Sequence, residues 1–369
     1  MITTAPLPDG AHLLRVLVDS PGDMDEVTAP WRRPGDRSWL VGRSTWSLAA
    51  LVAAASERLG LPARIVLPGW ICNQSLWPLR QAGAELVFLP VLSDGRPDWR
   101  AAEALGAIDM VMVVHTFGYP VDAMEARAFC ARRGAFLIED AAHVLMPIAG
   151  VGEAGDATFY SPHKLLPVPE GGVVVLNPRA EAWADGLARA LGRPQPAAGS
   201  LKWLGKRLGQ MLTPDVLRPL LPQGGQQEFR GDPAARPVPP AAAPSTLACR
   251  LLASADLERE AARRCDNAAA LRHVVRNLAD LRPLFHSDAA VPYRLALRAA
   301  SPKAATQRYR ALRRAHLPVE TWPDLPPEVM ADPAHAEGAV ALRRSVLLLP
   351  VHGALLPDRL ARAYAKVLR

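Results

Sequence analysis

The feature that most constrains this fold is an alternation of apolar runs and helical stretches from about residue 44 to residue 178. STWSLAALVAAASERLG repeats small and apolar residues at helical spacing and ends on Gly60, a helix C-cap signal. ARIVLP is a short apolar run stopped by Pro68, and reads as a buried strand. NQSLWPLRQAG is helical again and stops at Gly83. AELVFLPV and IDMVMVVHTFG are two more apolar runs. The second has no polar alternation, as expected of a strand covered on both faces. AMEARAFCARRG reads as a helix closed by Gly134, AFLIEDAAH as a strand running into a turn, and GGVVVLNP as a β-branched strand. Strands and helices at this spacing predict an α/β domain on a mainly parallel sheet.

The rhythm breaks after that strand. Segment 194–245 holds RPQPAAGS, the basic stretch KWLGKRLGQML, and a Pro/Ala tract at 236–245 that reads as a linker or exposed crossover. LACRLLASADLEREAARRCDNAAALRHVVRNL then reads as one long helical pattern, followed by short strands such as SVLLLPVH and a terminal helix PDRLARAYAKVL. The 369 residues therefore divide into a large domain over 1–245 and a smaller C-terminal α+β domain over 246–369. Trp203, Leu204, Leu208 and Leu212 can share one helical face, which we read as an ordinary surface helix rather than a membrane-lying one.

Composition removes several function classes. Lys+Arg 43 against Asp+Glu 36 gives a net charge of +7, carried by scattered arginines without a basic run or aromatic ladder, so nucleic acid is not the expected partner. The excess suits anionic small molecules better. No apolar stretch is long enough to span a membrane, and the N-terminus lacks the pattern of a signal peptide. Cys72, Cys130, Cys249 and Cys265 are far apart, and the histidines show no ligand spacing, so no metal site is expected and a reduced, cytoplasmic compartment fits.

Three weak signals carry the chemistry. Lys164 lies among Pro162, Pro167, Pro169 and a Glu170-Gly171-Gly172 turn, which rule out a regular helix and position its side chain. Asp140 ends a buried strand, where α/β sheets place ligands, although taken alone it reads better as a helix cap. Ser44 and Thr45 open a helix, so their N–H groups and hydroxyls are free for a phosphate or for plain capping.

Together, the order of these signals resembles the DegT-like (DegT/StrS-type) sugar aminotransferase family, a branch of the fold type I enzymes that use pyridoxal 5′-phosphate (PLP). RSTWSL stands at the family's phosphate loop, VHTFGYPVD resembles its His-x-x-Gly-x-Pro-x-Asp segment, and IEDAAH its Glu-Asp-Ala-Ala-Gln/His signature. HKLLPVPEGG resembles its lysine followed at fixed distance by Glu-Gly-Gly, and RRCDNAAAL its Arg-Arg-x-Asn helix. The resemblance implies PLP as cofactor, with Lys164 as the catalytic Schiff-base lysine and proton shuttle. It implies that Asp140 pairs with the pyridinium nitrogen, and that His143 bonds the ring's phenolic oxygen or stacks nearby. Ser44, Thr45 and Ser161 would hold the phosphate. The implied activity is ping-pong transfer of an amino group from an amino acid donor to a keto sugar, nucleotide-linked, or a related carbonyl compound. A homodimer is implied, since fold type I sites form at a subunit interface.

The sequence also departs from the family. Ser44 replaces a glycine, and Phe159 stands where a serine is common five residues before the lysine. Cys72 occupies the position of the ring-stacking aromatic, leaving Trp70 as a stacking candidate or a core tryptophan. The cross-subunit Gly-x-Asn-x-Arg-Met segment has no counterpart, GGQQEFRGDP lying roughly there. Some members carry His for the lysine and dehydrate instead, but the register to Glu170-Gly171-Gly172 selects Lys164 over His163. The alternatives are other PLP chemistry in a glycan or natural-product pathway, or a non-catalytic paralogue that binds. His115 and Cys72 read as structural.

Overall fold

The computed structural model describes residues 2–10, 13, 16, 23–197, 199–212 and 238–369. GGQQEFRGDP lies outside the described residues. The large sheet has seven strands: β1 (Arg37–Val41), β2 (Arg64–Pro68), β3 (Glu85–Leu89), β4 (Met110–Val114), β5 (Phe136–Ala141), β6 (Ala157–Tyr160) and β7 (Gly172–Leu176). Their order is β1-β7-β6-β5-β4-β2-β3. β3, β2, β4, β5 and β6 run parallel, and β7 lies antiparallel between β6 and β1. The C-terminal ends of β5 and β6, the start of β7 and the end of β1 therefore share one edge of the sheet.

Both faces of the sheet are buried, which is why the central strands read as unbroken apolar runs. Met110 and Met112 of β4 pack on one side with Phe136, Ile138, Val174 and Leu176. Val111, Val113 and Leu137 pack on the other. Helix α1 (Ser44–Leu59) covers the first face with Leu48, Leu51, Val52 and Ala55. Helix α2 (Met124–Arg133) covers the second with Ala126, Phe129 and Cys130. In this sheet, β1 and β6 are the two strands that sequence reading left unassigned. RSWLV is only half-buried, and ATFY is four residues long.

The described parts of the crossover, 194–197, 199–212 and 238–245, include a helix and backbone bonds to the rest of the chain. Helix α3 (Ser200–Leu212) packs Trp203, Leu204 and Met211 against the core, while Leu201, Leu208 and Leu212 are exposed. The expected shared face is thus split. The Pro/Ala tract bonds back to the chain, since Ala197 N–H donates to the Ala243 carbonyl and Gly42 N–H to the Ala242 carbonyl.

The expected single long helix is two, α4 (Thr246–Ala253) and α5 (Leu257–Val275). Ser254 ends the first, and Asp256 caps the second by accepting the Arg259 N–H. Cys249, Leu251 and Leu252 of α4 and Leu257 and Ala261 of α5 pack with the large domain, and only from Ala268 does α5 join the small-domain core. The N-terminal residue Ile2 also packs on that small core. The small sheet is antiparallel, ordered β10-β11-β9-β8, from β8 (Leu281–Pro283), β9 (Arg294–Ala299), β10 (Glu320–Thr321) and β11 (Val346–Pro350). Terminal helix α6 (Pro357–Leu368) lies against α5.

Candidate active site

The site lies at the shared sheet edge. Asp140 is the penultimate residue of β5, in register with Val114 of β4 and Phe159 of β6. Its Oδ1 accepts the Ala142 N–H at 2.8 Å, which fixes the carboxyl at the strand end. Burial pushes its pKa up, and the charge of Lys164 opposes that rise.

Lys164 sits in a one-turn helix, Pro162–Leu165, directly after β6. Its N–H donates to the Ser161 carbonyl at 2.9 Å. The charge of Lys164 acts on Asp140, His143, Cys72 and His163. His163 is otherwise engaged. Its Nδ1 lies 2.7 Å from the Gly171 carbonyl, and burial lowers its pKa to about 4.

The hydroxyls of Ser44 and Ser161 are buried and hydrogen-bonded to each other across 117 residues of sequence. α1 begins at Ser44 with no side-chain cap, which leaves its first N–H groups aimed at this place. Thr45 is half-spent, its hydroxyl donating to the Ser75 carbonyl at 2.7 Å. The Glu-Gly-Gly turn builds the wall behind. Glu170 accepts the N–H of Ser245 at 2.8 Å and its hydroxyl, and Gly171 N–H donates to the Gly42 carbonyl at 2.9 Å. A Cβ on Gly172 would collide with the Ser44 backbone, so only glycine lets β7 approach the start of α1.

His143 lies between two rings. It stacks on Tyr293 at 4.7 Å and 6°, and on Phe117 at 5.7 Å and 13°. Its Nδ1 accepts the Phe117 N–H at 3.2 Å. Burial, with the charges of Lys164 and Arg294, holds its pKa well below the usual histidine value. Trp70 lies behind Phe117, one ring removed from His143. It is 2% exposed and packs at 5.1 Å on Trp322 and at 5.8 Å on Phe117, in a cluster joining the two domains. Cys72 feels the charge of Lys164, and burial raises its thiol pKa to about 11. A neutral thiol is a packing group and not a nucleophile.

His115 and Glu139 form a second layer below. His115 Nε2 lies 2.8 Å from Glu139, both fully buried, and its Nδ1 accepts the Val121 N–H at 3.1 Å. Glu139 also accepts N–H groups from Gly152, Ala154 and Gly155, so His115 is a structural residue. Sequence reading missed Phe117, Tyr293 and Arg264. Arg264 stands in the RRCDNAAAL segment, whose resemblance to the family's helix was the available signal, and the structure buries it fully.

Residues 75–209 match the model of the DegT/DnrJ/EryC1/StrS aminotransferase family. No curated protein matches the chain in sequence. Among solved structures, the chain is similar to Helicobacter pylori PseC, an aminotransferase involved in the biosynthesis of pseudoaminic acid, with TM-score 0.73, 15% identity and coverage of 100% and 99% of the two chains. It is similar to the putative sugar aminotransferase Spr1654 from Streptococcus pneumoniae in its PMP form, with TM-score 0.72, 16% identity and coverage of 100% and 99%. It is also similar to the E. coli GDP-4-keto-6-deoxy-D-mannose-3-dehydratase with bound hydrated PLP, with TM-score 0.69, 15% identity and full coverage of both chains. The chain carries the segment of this aminotransferase family on the fold type I architecture, and the reading as a PLP-dependent aminotransferase stands.

Proposed function

From the family match over residues 75–209 we propose that the chain transfers an amino group from an amino acid donor to a keto sugar, nucleotide-linked, or a related biosynthetic carbonyl compound. The observation that carries this reading is the convergence of Lys164, Asp140 and His143 at one sheet edge, beside the buried hydroxyls of Ser44 and Ser161.

The residues fit PLP. Ser44, Ser161 and the first N–H groups of α1 suit a phosphate, because a helix N-terminus attracts an anion and the hydroxyls can turn to donate. Thr45 contributes its backbone, its hydroxyl being held by Ser75. A carboxylate at Asp140 suits a protonated ring nitrogen, and a cation placed there offsets the burial that raises its pKa. His143 suits an oxygen acceptor, since its free nitrogen, Nε2, is the one that carries the proton. Bound PLP supplies an electron sink for the bond-breaking at the amino carbon.

The chain's own residues do the rest. Lys164 holds the proton that must leave one carbon and return to another, its amine placed by a proline-bounded turn. Asp140 would hold a protonated ring nitrogen, whose charge would favour the ionised carboxylate. Tyr293 and Phe117 close the space around His143 and exclude water from it. We place the active form as a homodimer in a reduced, cytoplasmic setting, consistent with four free cysteines. Among the described residues, no helix is long and apolar enough to cross a membrane.

The test is a donor half-reaction. Protein loaded with PLP is mixed with glutamate, and the band of the lysine-bound cofactor should give way to that of the aminated cofactor. Keto sugar nucleotides are then screened for reversal. A second reading, dehydration, is raised by the dehydratase-like fold. It requires release of water from the sugar and leaves its carbonyl without nitrogen, which mass spectrometry of the product separates.

A further inference from the structure

We infer that Arg264 is a positioning residue for Lys164, holding the catalytic turn from the far side of the domain boundary; this rests on the reading of Lys164 under Proposed function. Arg264 projects from α5 and is fully buried. Its Nη2 donates to the carbonyl of Leu165, the residue next to Lys164, at 2.7 Å. Its Nη1 donates to the carbonyls of Pro292 and Tyr293, both at 3.2 Å. Its Nε stands 2.8 Å from Glu260, which also accepts the Gly353 N–H at 3.0 Å.

One guanidinium therefore joins both sides of the site. The Pro162–Leu165 turn is too short to hold itself, because a single helical turn has no cooperative support. Its direction depends on what grips its carbonyls. On the other side, Tyr293 stacks on His143, and its N–H donates to the Phe117 carbonyl at 2.8 Å. A rigid planar fork can reach three carbonyls and a carboxylate at once, whereas an ammonium on a flexible stem cannot. Loss of the fork frees the Lys164 turn and the Tyr293–His143 stack together.

The experiment compares wild type with Arg264→Lys and with the milder Glu260→Gln, which loosens the arginine but leaves an acceptor for Gly353. In cofactor-free protein, acetic anhydride labelling of Lys164 is measured by mass spectrometry against Lys202, Lys206, Lys303 and Lys366 as internal references. In PLP-loaded protein, the pH profile of the absorption band, the dissociation constant for glutamate and the single-turnover rate are measured. For both variants we expect altered relative labelling of Lys164 and a displaced pH profile. The single-turnover rate should fall roughly 10–100-fold in Arg264→Lys and less in Glu260→Gln, with glutamate dissociation within about twofold. Unchanged labelling and an unchanged pH profile, with only a lower melting temperature, would make Arg264 a packing residue and overturn the inference. If wild type shows no cofactor band but the variants alter Lys164 labelling, the proposed function fails and the positioning role stands.

Discussion

The Phe117 N–H donates to Nδ1 of His143 at 3.2 Å, and this one bond assigns the imidazole proton to Nε2. With its pKa held well below the usual value, the ring is a neutral donor across the working pH range. Replacing His143 by Leu removes that donor and should slow the glutamate half-reaction roughly 10-fold or more, while Gln, which can still donate, should recover most of the rate. Stopped-flow absorbance checks this. Equal rates in Leu and Gln variants would assign His143 to packing between Phe117 and Tyr293.

Asp140→Asn keeps an acceptor for the Ala142 N–H and so preserves the strand end. It removes the charge that holds a ring nitrogen protonated. We expect PLP to bind but the half-reaction to slow by roughly 100-fold or more, a loss of about 2.7 kcal/mol of transition-state stabilisation. Single-turnover kinetics read it directly.

Ser44 and Ser161 share one hydrogen bond and one proposed ligand, so their losses should not add. Each alanine variant should weaken PLP binding roughly 10-fold, as expected for a hydrogen bond to a charged group. The double variant should weaken it by less than the product. Equilibrium dialysis of PLP measures all three.

Stability should fall with acid. His143, His163 and His352 all have folded-state pKa values below the ordinary 6.5, to about 4 for His163 and about 3 for His352, because burial disfavours their charged forms. The unfolded chain therefore binds protons that the native state refuses once the pH drops below about 6.5, so their contribution is full above that pH and is lost as it falls. Asp140, with its raised pKa, opposes this by one proton at most. Melting temperature should decline from pH 7.5 to 5. His352 bonds Thr3 near the N-terminus, and His352→Gln should remove about one proton from the slope, about 1.4 kcal/mol per pH unit at the acid end. A flat profile would contradict the burial of these rings.

Much of this was legible from residue order. Apolar runs such as MVMVV gave the central strands because both faces of the sheet are covered. The Glu170-Gly171-Gly172 turn was legible as a motif, but its close approach to Ser44 is seen only in the structure. What escaped the sequence depends on distant pairs. β1 reads as half-polar because only β7 flanks it, at the sheet edge. The break between α4 and α5 is made by Asp256 and Ser254, two residues within an otherwise helical pattern. Trp70 was ambiguous because its ring direction is set by Trp322, some 250 residues away. Arg264 stood in the recognised RRCDNAAAL segment, but its carbonyl partner Leu165 is 99 residues away and no local pattern points to it.

The most direct test of the central claim is the visible absorption spectrum of the protein with PLP, beside Lys164→Ala. The account predicts a near-violet band in wild type that shifts when glutamate is added, and that is absent or altered in the variant. The same spectrum from both proteins, or no band in either, would contradict Lys164 as the catalytic residue and leave a binding module on this fold.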